Sequence, residues 1–149
     1  MANTLYIPGM EITRPWETVY TVHDYFDGPR NGIADYGGIA HAYKCAWDAD
    51  LDDWSEGFLL SPISDEQLAT VKEEWSDWRR YQAKQRAGEL RSCDEHPALA
   101  EDRRRHDQLR QAVEDALRVT ESIAVPAIPD FRGTIEPEYD FEVRWRAVA

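Results

Sequence analysis

Strand-forming patterns occupy both ends of this chain, and helix-forming patterns occupy its middle. In the last segment, Phe141, Val143, Trp145 and Ala147 alternate with charged residues, as in an antiparallel strand with one buried face. Near the start, residues 19–26 are rich in β-branched and aromatic side chains, which also favour a strand. Strands at both ends imply that the two ends share one sheet. We therefore predict an α+β fold: a mostly antiparallel sheet formed by N- and C-terminal strands, with an inserted two-helix antiparallel hairpin.

A tight β-hairpin is indicated where Gly37–Gly38 separates two strand-like runs. Two consecutive glycines suit a two-residue type I′ turn, because both of its positions need a positive φ. Such a turn sets Tyr36 opposite Ile39 and Ala34 opposite His41.

Two helices are predicted in the middle of the chain. Ser64 followed by Gln67 forms a capping box, which marks the start of the first helix. The second helix is predicted to begin at Pro97, since proline is favoured at the first helical position. The polar linker 89–96 is short enough to fold the pair into an antiparallel hairpin. Each helix carries one apolar stripe: Leu68, Val71, Trp75 and Trp78 in the first, and Leu99, His106, Leu109, Val113 and Leu117 in the second.

The domain organisation follows from these elements. We predict a single domain over residues 1–149, with strands in 1–63, the helical hairpin in 64–119 and C-terminal strands in 120–149. A short strand is predicted at residues 58–60, ending at Pro62. Another is predicted at residues 123–125, where Pro126 and Pro129 stop it.

The charge of the chain limits its partners. It has 17 Lys+Arg and 29 Asp+Glu, a formal net charge of −12. Such a surface repels phosphate backbones, so we expect no direct nucleic-acid binding. A basic protein, or the basic groove of a nucleic-acid-processing complex, is the partner that this charge attracts. A simpler explanation of the negative charge is that it only keeps the protein soluble. No apolar run approaches the roughly 20 residues that span a bilayer, so we expect no membrane association.

The cysteine content predicts a reducing compartment. Cys45 and Cys93 are too few for a disulfide scaffold, and neither has the CxxC spacing of a zinc site. The first residues, Met1-Ala2-Asn3-Thr4, lack the basic and apolar regions of a secretory signal. We therefore predict a cytoplasmic protein that holds no metal and no cofactor.

An acidic segment flanked by tryptophans is the predicted partner-binding site. It begins with Asp48, Asp50 and Asp52, which resemble the first ligands of a calcium-binding loop. However, Asp53 stands where that loop needs glycine, and Leu59 stands where it needs a bidentate Glu, so an EF-hand is excluded. Aromatic side chains often anchor protein interfaces. The predicted partner-binding residues are Arg30, Trp47, Asp48, Asp50, Asp52, Asp53 and Trp54.

A second cluster offers a weaker, catalytic interpretation. Asp24 and Asp27 near His41 are candidates for general acid–base chemistry, because a carboxylate tunes the pKa of a histidine. Ordinary turn chemistry at Asp27 and a satisfied core histidine at His41 explain the same residues. No nucleotide-binding, hydrolase or metalloprotease motif is present in the sequence.

These observations lead to one preferred function and two alternatives. We expect a non-enzymatic acidic protein-binding module, of the inhibitor, immunity or nucleic-acid-mimic type. A small enzyme that uses Asp24, Asp27 and His41 is one alternative. A structural subunit that forms a homodimer through its helices is the other, because the narrow apolar stripes resemble a coiled-coil seam.

Overall fold

The computed structural model describes residues 14–90, 97–135 and 139–148. Cys93 and most of the predicted linker between the helices lie outside the described residues. The chain divides into two compact units: a helical unit (Ser64–Ala116), and a second unit that contains all the described strands. That the whole chain is one domain stays a prediction. The elements in the described ranges are β1 (Glu17–Tyr25), β2 (Pro29–Tyr36), β3 (Ile39–Asp48), β4 (Asp53–Pro62), α1 (Asp65–Arg86), α2 (Arg103–Leu117), β5 (Val125–Arg132) and β6 (Glu142–Ala147).

The strands form a closed six-stranded antiparallel barrel, which we call the barrel unit. They follow one another in chain order, and β1 pairs with β6 to close the ring. β4 and β5, which flank the helices in sequence, pair through Phe58–Leu60 and Val125–Ala127. The predicted α+β sheet is therefore wrong, because closure pairs the two outer edges that an open sheet exposes, and the helices are an insertion between β4 and β5. The prediction that both ends of the chain share a sheet is confirmed.

The β2–β3 hairpin has the predicted turn and register. Gly37–Gly38 takes φ values of 62° and 78°, the left-handed conformation that a type I′ turn requires. Tyr36 pairs with Ile39, and Ala34 pairs with His41. The hairpin prediction is therefore confirmed. It could be made from the sequence because the turn type depends on only two adjacent residues.

An aromatic cluster fills the barrel interior. Tyr43 is fully buried, and its hydroxyl donates a hydrogen bond of 2.9 Å to the carbonyl oxygen of Thr21. The Tyr43 ring centroid lies 6.2 Å from that of Phe58, 5.9 Å from that of Phe131 and 6.1 Å from that of Trp145. These rings come from β3, β4, β5 and β6, so the cluster holds four neighbouring strands around one core.

The last strand, β6, shows the predicted alternation. Phe141, Val143 and Trp145 are buried, while Ala147 is exposed where the strand ends. The Trp145 indole N–H donates to the carbonyl oxygen of Asp35 at 2.9 Å, which satisfies its one polar group in the core.

β5 runs through the two prolines that were expected to stop it. The strand spans Val125–Arg132, so the prediction of an end at Pro126 is wrong. β5 pairs with β4 only over residues 125–127 and with β6 only over residues 127–132. Pro126 and Pro129 each therefore have a paired strand on one side only. A proline, which lacks an N–H, is tolerated at such edge-like positions.

In the helical unit, α1 begins as predicted and α2 does not. Ser64 caps α1, and its side chain and that of Gln67 form both hydrogen bonds of the capping box. α2 begins at Arg103 rather than Pro97, and its first hydrogen bond runs from the His106 N–H to the Asp102 carbonyl oxygen. The predicted α1 stripe is only partly buried: Val71 is fully buried, Leu68, Trp75 and Trp78 are half-buried, and the unpredicted Asp77 and Tyr81 are buried.

Candidate functional site

The end of the β3–β4 hairpin presents a pair of tryptophans. Trp47 and Trp54 face each other across the two strands, with ring centroids 5.3 Å apart and planes at 87°. Trp47 is 52% exposed, and Leu51 in the connecting turn is 71% exposed. Because paired strands hold both rings, this apolar surface is fixed before any partner arrives, which lowers the entropy cost of binding.

The predicted acidic residues lie just beyond these rings, at the two strand ends and in the connecting turn. Asp48 pairs with Asp53 across the strand ends, and Asp50 and Asp52 lie in the turn between them. The Asp48 carboxylate accepts the backbone N–H groups of Asp50 and Leu51 at 3.0 and 3.3 Å, which fixes the shape of the turn. Within the described residues, none of the four carboxylates forms an ion pair, so their charge is open to solvent.

The charge of this region has one sign over a long stretch of sequence. No lysine or arginine occurs between Lys44 and Lys72, and five acidic residues occur within 45–62. The chain outside the helical unit carries sixteen acidic and seven basic residues, against thirteen and ten within Ser64–Ala116. The negative charge is therefore concentrated in the barrel unit. We call the surface formed by residues 47–54 the acidic hairpin end.

Arg30 on β2 links this surface to the β1–β2 turn. Its guanidinium carbon lies 5.3 Å from the centre of the Trp54 ring, in a cation–π contact. Its Nε donates to the carbonyl oxygen of Phe26 at 2.7 Å, and a terminal nitrogen donates to that of Asp27 at 3.4 Å. A second terminal nitrogen lies 3.5 Å from Cys45 Sγ. The structure thus brings Arg30 together with Trp54, as the partner-site prediction grouped them.

The barrel does not bring the three catalytic candidates together at one place. Asp24 pairs with Asn31 of β2, and Asn31 pairs with Lys44 of β3. Lys44 lies three residues from His41 along β3. At about 3.3 Å per residue, that step is about 10 Å. Asp27 lies in the exposed β1–β2 turn with a φ of 54°. Asp24 and Asp27 are thus placed together near one end, while His41 lies elsewhere.

His41 has a different set of neighbours. Its Nδ1 lies 2.7 Å from the carbonyl oxygen of Ile39, and its ring meets that of Tyr36 edge-on at 5.4 Å. Asp35 is the carboxylate near His41. Burial raises the pKa of Asp35, and the charge of His41 opposes this rise. The Tyr20 hydroxyl donates to Asp35 at 3.0 Å. The sequence analysis did not single out Tyr20, which reaches Asp35 only because β1 lies beside β2.

A cleft opens in the barrel wall where β4 and β5 separate. Their pairing ends at Phe58 and Ala127, and the space beyond is a cavity of about 330 Å³. The β1–β2 turn and Arg146 of β6 complete its walls. Sequence reasoning missed this cleft, because nothing local shows where two paired strands separate. Its lining comprises Asp27, Gly28, Pro29, Arg30, Ser55, Glu56, Phe58, Ile128, Pro129, Phe131 and Arg146.

The helical unit contains a polar cluster between its helices. Arg105 on α2 forms an ion pair of 2.8 Å with Glu73 on α1, and His106 Nε2 lies 3.5 Å from Glu74. Burial, and secondarily the charge of Asp77, raises the pKa of Glu74. Arg80 bridges Asp77 and the residue just before α2, Asp102. Glu73 pairs with Arg105, whereas Arg80, later in α1, pairs with the earlier residue Asp102, as expected for antiparallel helices.

Comparison of this chain with models of known protein families, with curated proteins and with solved structures finds no match. In the described ranges, no group of three or more His, Cys, Asp or Glu side chains is arranged to hold a metal ion. None of the helices in those ranges is both long enough and apolar enough to cross a membrane.

Proposed function

We propose that this chain is a non-catalytic binding protein whose acidic hairpin end docks on a basic protein surface. The observation that carries the proposal is the combination of an exposed, strand-held tryptophan with carboxylates that have no cationic partner among the described residues. Opposite charge would speed the encounter, and the Trp47 and Leu51 side chains would lose water in the complex.

The proposed partner is a basic protein or the basic groove of a nucleic-acid-processing complex. A free nucleic acid is excluded from the proposal because its phosphates would meet the carboxylates of the same surface. The mode of action is occupancy: the chain covers a surface and transforms no substrate, as an inhibitor or an immunity protein does. We place this action in the cytoplasm, where Cys45, a free thiol buried in the barrel unit, stays reduced.

A capture experiment with matched variants tests the proposal. The immobilised chain is exposed to an extract of its source cells at low salt, and the captured basic protein is purified and its Kd is measured. We expect Trp47→Ala to weaken binding about tenfold or more, because a buried anchor is lost at constant charge. The triple variant Asp50→Asn, Asp52→Asn, Asp53→Asn should weaken binding and flatten its salt dependence.

A charge-matched control separates a specific site from general attraction. The triple variant Glu66→Gln, Glu101→Gln, Glu121→Gln removes the same charge from exposed positions outside the hairpin. We expect it to bind the partner nearly as tightly as the unmodified chain. Equal weakening by both triple variants, or full binding by Trp47→Ala, would contradict the proposal, as would failure to capture any basic protein.

A further inference from the structure

The cleft between β4 and β5 has the size and wall chemistry of a small-molecule site. Its volume of about 330 Å³ lies at the lower end of the range of about 300–1,000 Å³ for ligand pockets, which suits a small ligand such as a substituted aromatic ring. Phe58, Phe131, Ile128 and Pro129 supply apolar walls. A flat apolar body would therefore bury its surface against these side chains.

Arg30 is the best-positioned charge in this cleft. It is half-buried, and two backbone carbonyls and the Trp54 ring hold its guanidinium in place. Within the described residues, none of the contacts of Arg30 is to a carboxylate, so its positive charge is not neutralised by a paired anion. A held guanidinium needs little reorganisation to meet an anionic group.

Arg146 differs from the neighbouring arginines of the barrel. Arg144 pairs with Asp130 at 2.9 Å, and Arg132 pairs with Glu142 at 2.8 Å; both also stack on Trp16. Arg146 lines the cleft and, within the described residues, has no carboxylate partner.

The acidic residues of the lining limit the charge of a ligand. Asp27, Glu56 and Arg146 are exposed, whereas Arg30 is half-buried. Two arginines and two carboxylates leave the lining without net charge, and the whole chain is at −12. A polyanion such as phosphate would be repelled, but a single carboxylate near Arg30 and Arg146 would be stabilised.

We infer that this cleft binds a small monocarboxylate with an aromatic body, the carboxylate facing Arg30 and Arg146 and the ring lying against Phe58 and Phe131. The inference goes beyond the proposed function and does not depend on it. The triple aspartate variant of the hairpin, which keeps Trp54 and its contact with Arg30, should leave this ligand site unchanged.

An NMR titration with chemically matched probes tests the inference. Phenylacetate is added to the ¹⁵N-labelled chain, and the same titration is run with neutral 2-phenylethanol, cationic phenethylamine and inorganic phosphate. We expect phenylacetate to bind most tightly and to shift the amide signals of Arg30, Ile128 and Phe131. Tighter binding of any other probe, shifts confined to other residues, or no saturable shifts would overturn the inference.

Matched substitutions on β6 locate the carboxylate. Arg146→Gln removes a charge that has no ion pair to lose, so the barrel should stay folded. We expect it to weaken phenylacetate binding about fivefold or more. Arg144→Gln makes the same charge change two residues away, outside the lining, and should leave the Kd within about twofold. Equal effects of the two substitutions would contradict the assignment.

Discussion

Acid sensitivity of the barrel should come from His23. This histidine lies on β1 between Val22, which pairs with Gly32, and Asp24, which pairs with Asn31, so it is the extra residue of a β-bulge. Burial lowers the pKa of His23 from 6.5 to about 4. Between these values the unfolded chain binds a proton that the folded barrel does not bind. The free energy of unfolding therefore falls as the pH falls through this window.

The size of this effect follows from the pKa difference. The fall of the His23 pKa from 6.5 to about 4 is worth about 3 kcal/mol at about 1.4 kcal/mol per pKa unit. Most of it is lost above pH 4: about 2 kcal/mol at pH 5, relative to pH 8. Asp35, whose pKa is raised by burial, contributes with the opposite sign, because its protonated form is favoured in the folded barrel. A comparison with His23→Gln, which keeps Asp35, isolates the histidine.

Hydrogen exchange of buried barrel amides, such as those of Tyr43 and Leu60, gives the unfolding free energy of this unit separately from the helices. Between pH 7.5 and pH 5, the unmodified chain should lose about 2 kcal/mol more than His23→Gln, about a thirtyfold difference in the opening equilibrium. Equal losses in the two proteins, or an NMR titration of the His23 ring near pH 6.5, would refute the reasoning.

Three further predictions concern local features of the two units. Gly32→Ala should lower the free energy of unfolding by about 3 kcal/mol or prevent folding, because the added Cβ would lie 2.7 Å from the Tyr43 hydroxyl and closer still to the backbone of Thr21. Urea unfolding measures this loss. The control Gly57→Ala, whose added Cβ has its nearest contact at 3.5 Å, should unfold within about 0.5 kcal/mol of the unmodified chain. Ser64→Ala should cost the helical unit about 1 kcal/mol in hydrogen exchange of α1 amides, and Ser64→Asp should restore most of it. Burial raises the pKa of Glu74, so ionisation at rising pH destabilises the helical unit. Glu74→Gln should reduce this loss between pH 5 and pH 7.5 in the same exchange measurement, and an unchanged pH dependence would contradict it.

The candidate sites show how far local patterns reach. The acidic hairpin end was predictable, because its residues adjoin in sequence and a hairpin keeps them adjacent in space. The cleft was not predictable, because Arg30 and Arg146 are 116 positions apart in the sequence and line the same cleft only in the closed barrel. The separation of His41 from Asp24 likewise depends on strand register.

The sequence alone determined the elements whose cause lies within a few residues. The turn at Gly37–Gly38, the capping box at Ser64 and the alternation of β6 depend on backbone conformation, one side-chain hydrogen-bond pair and the period of a strand. Tertiary structure decided the rest. Three features depended on neighbours that are distant in the sequence: closure of the barrel, the passage of β5 through Pro126 and the burial of Asp77. In each case a distant segment supplies the hydrogen bonds or excludes the water.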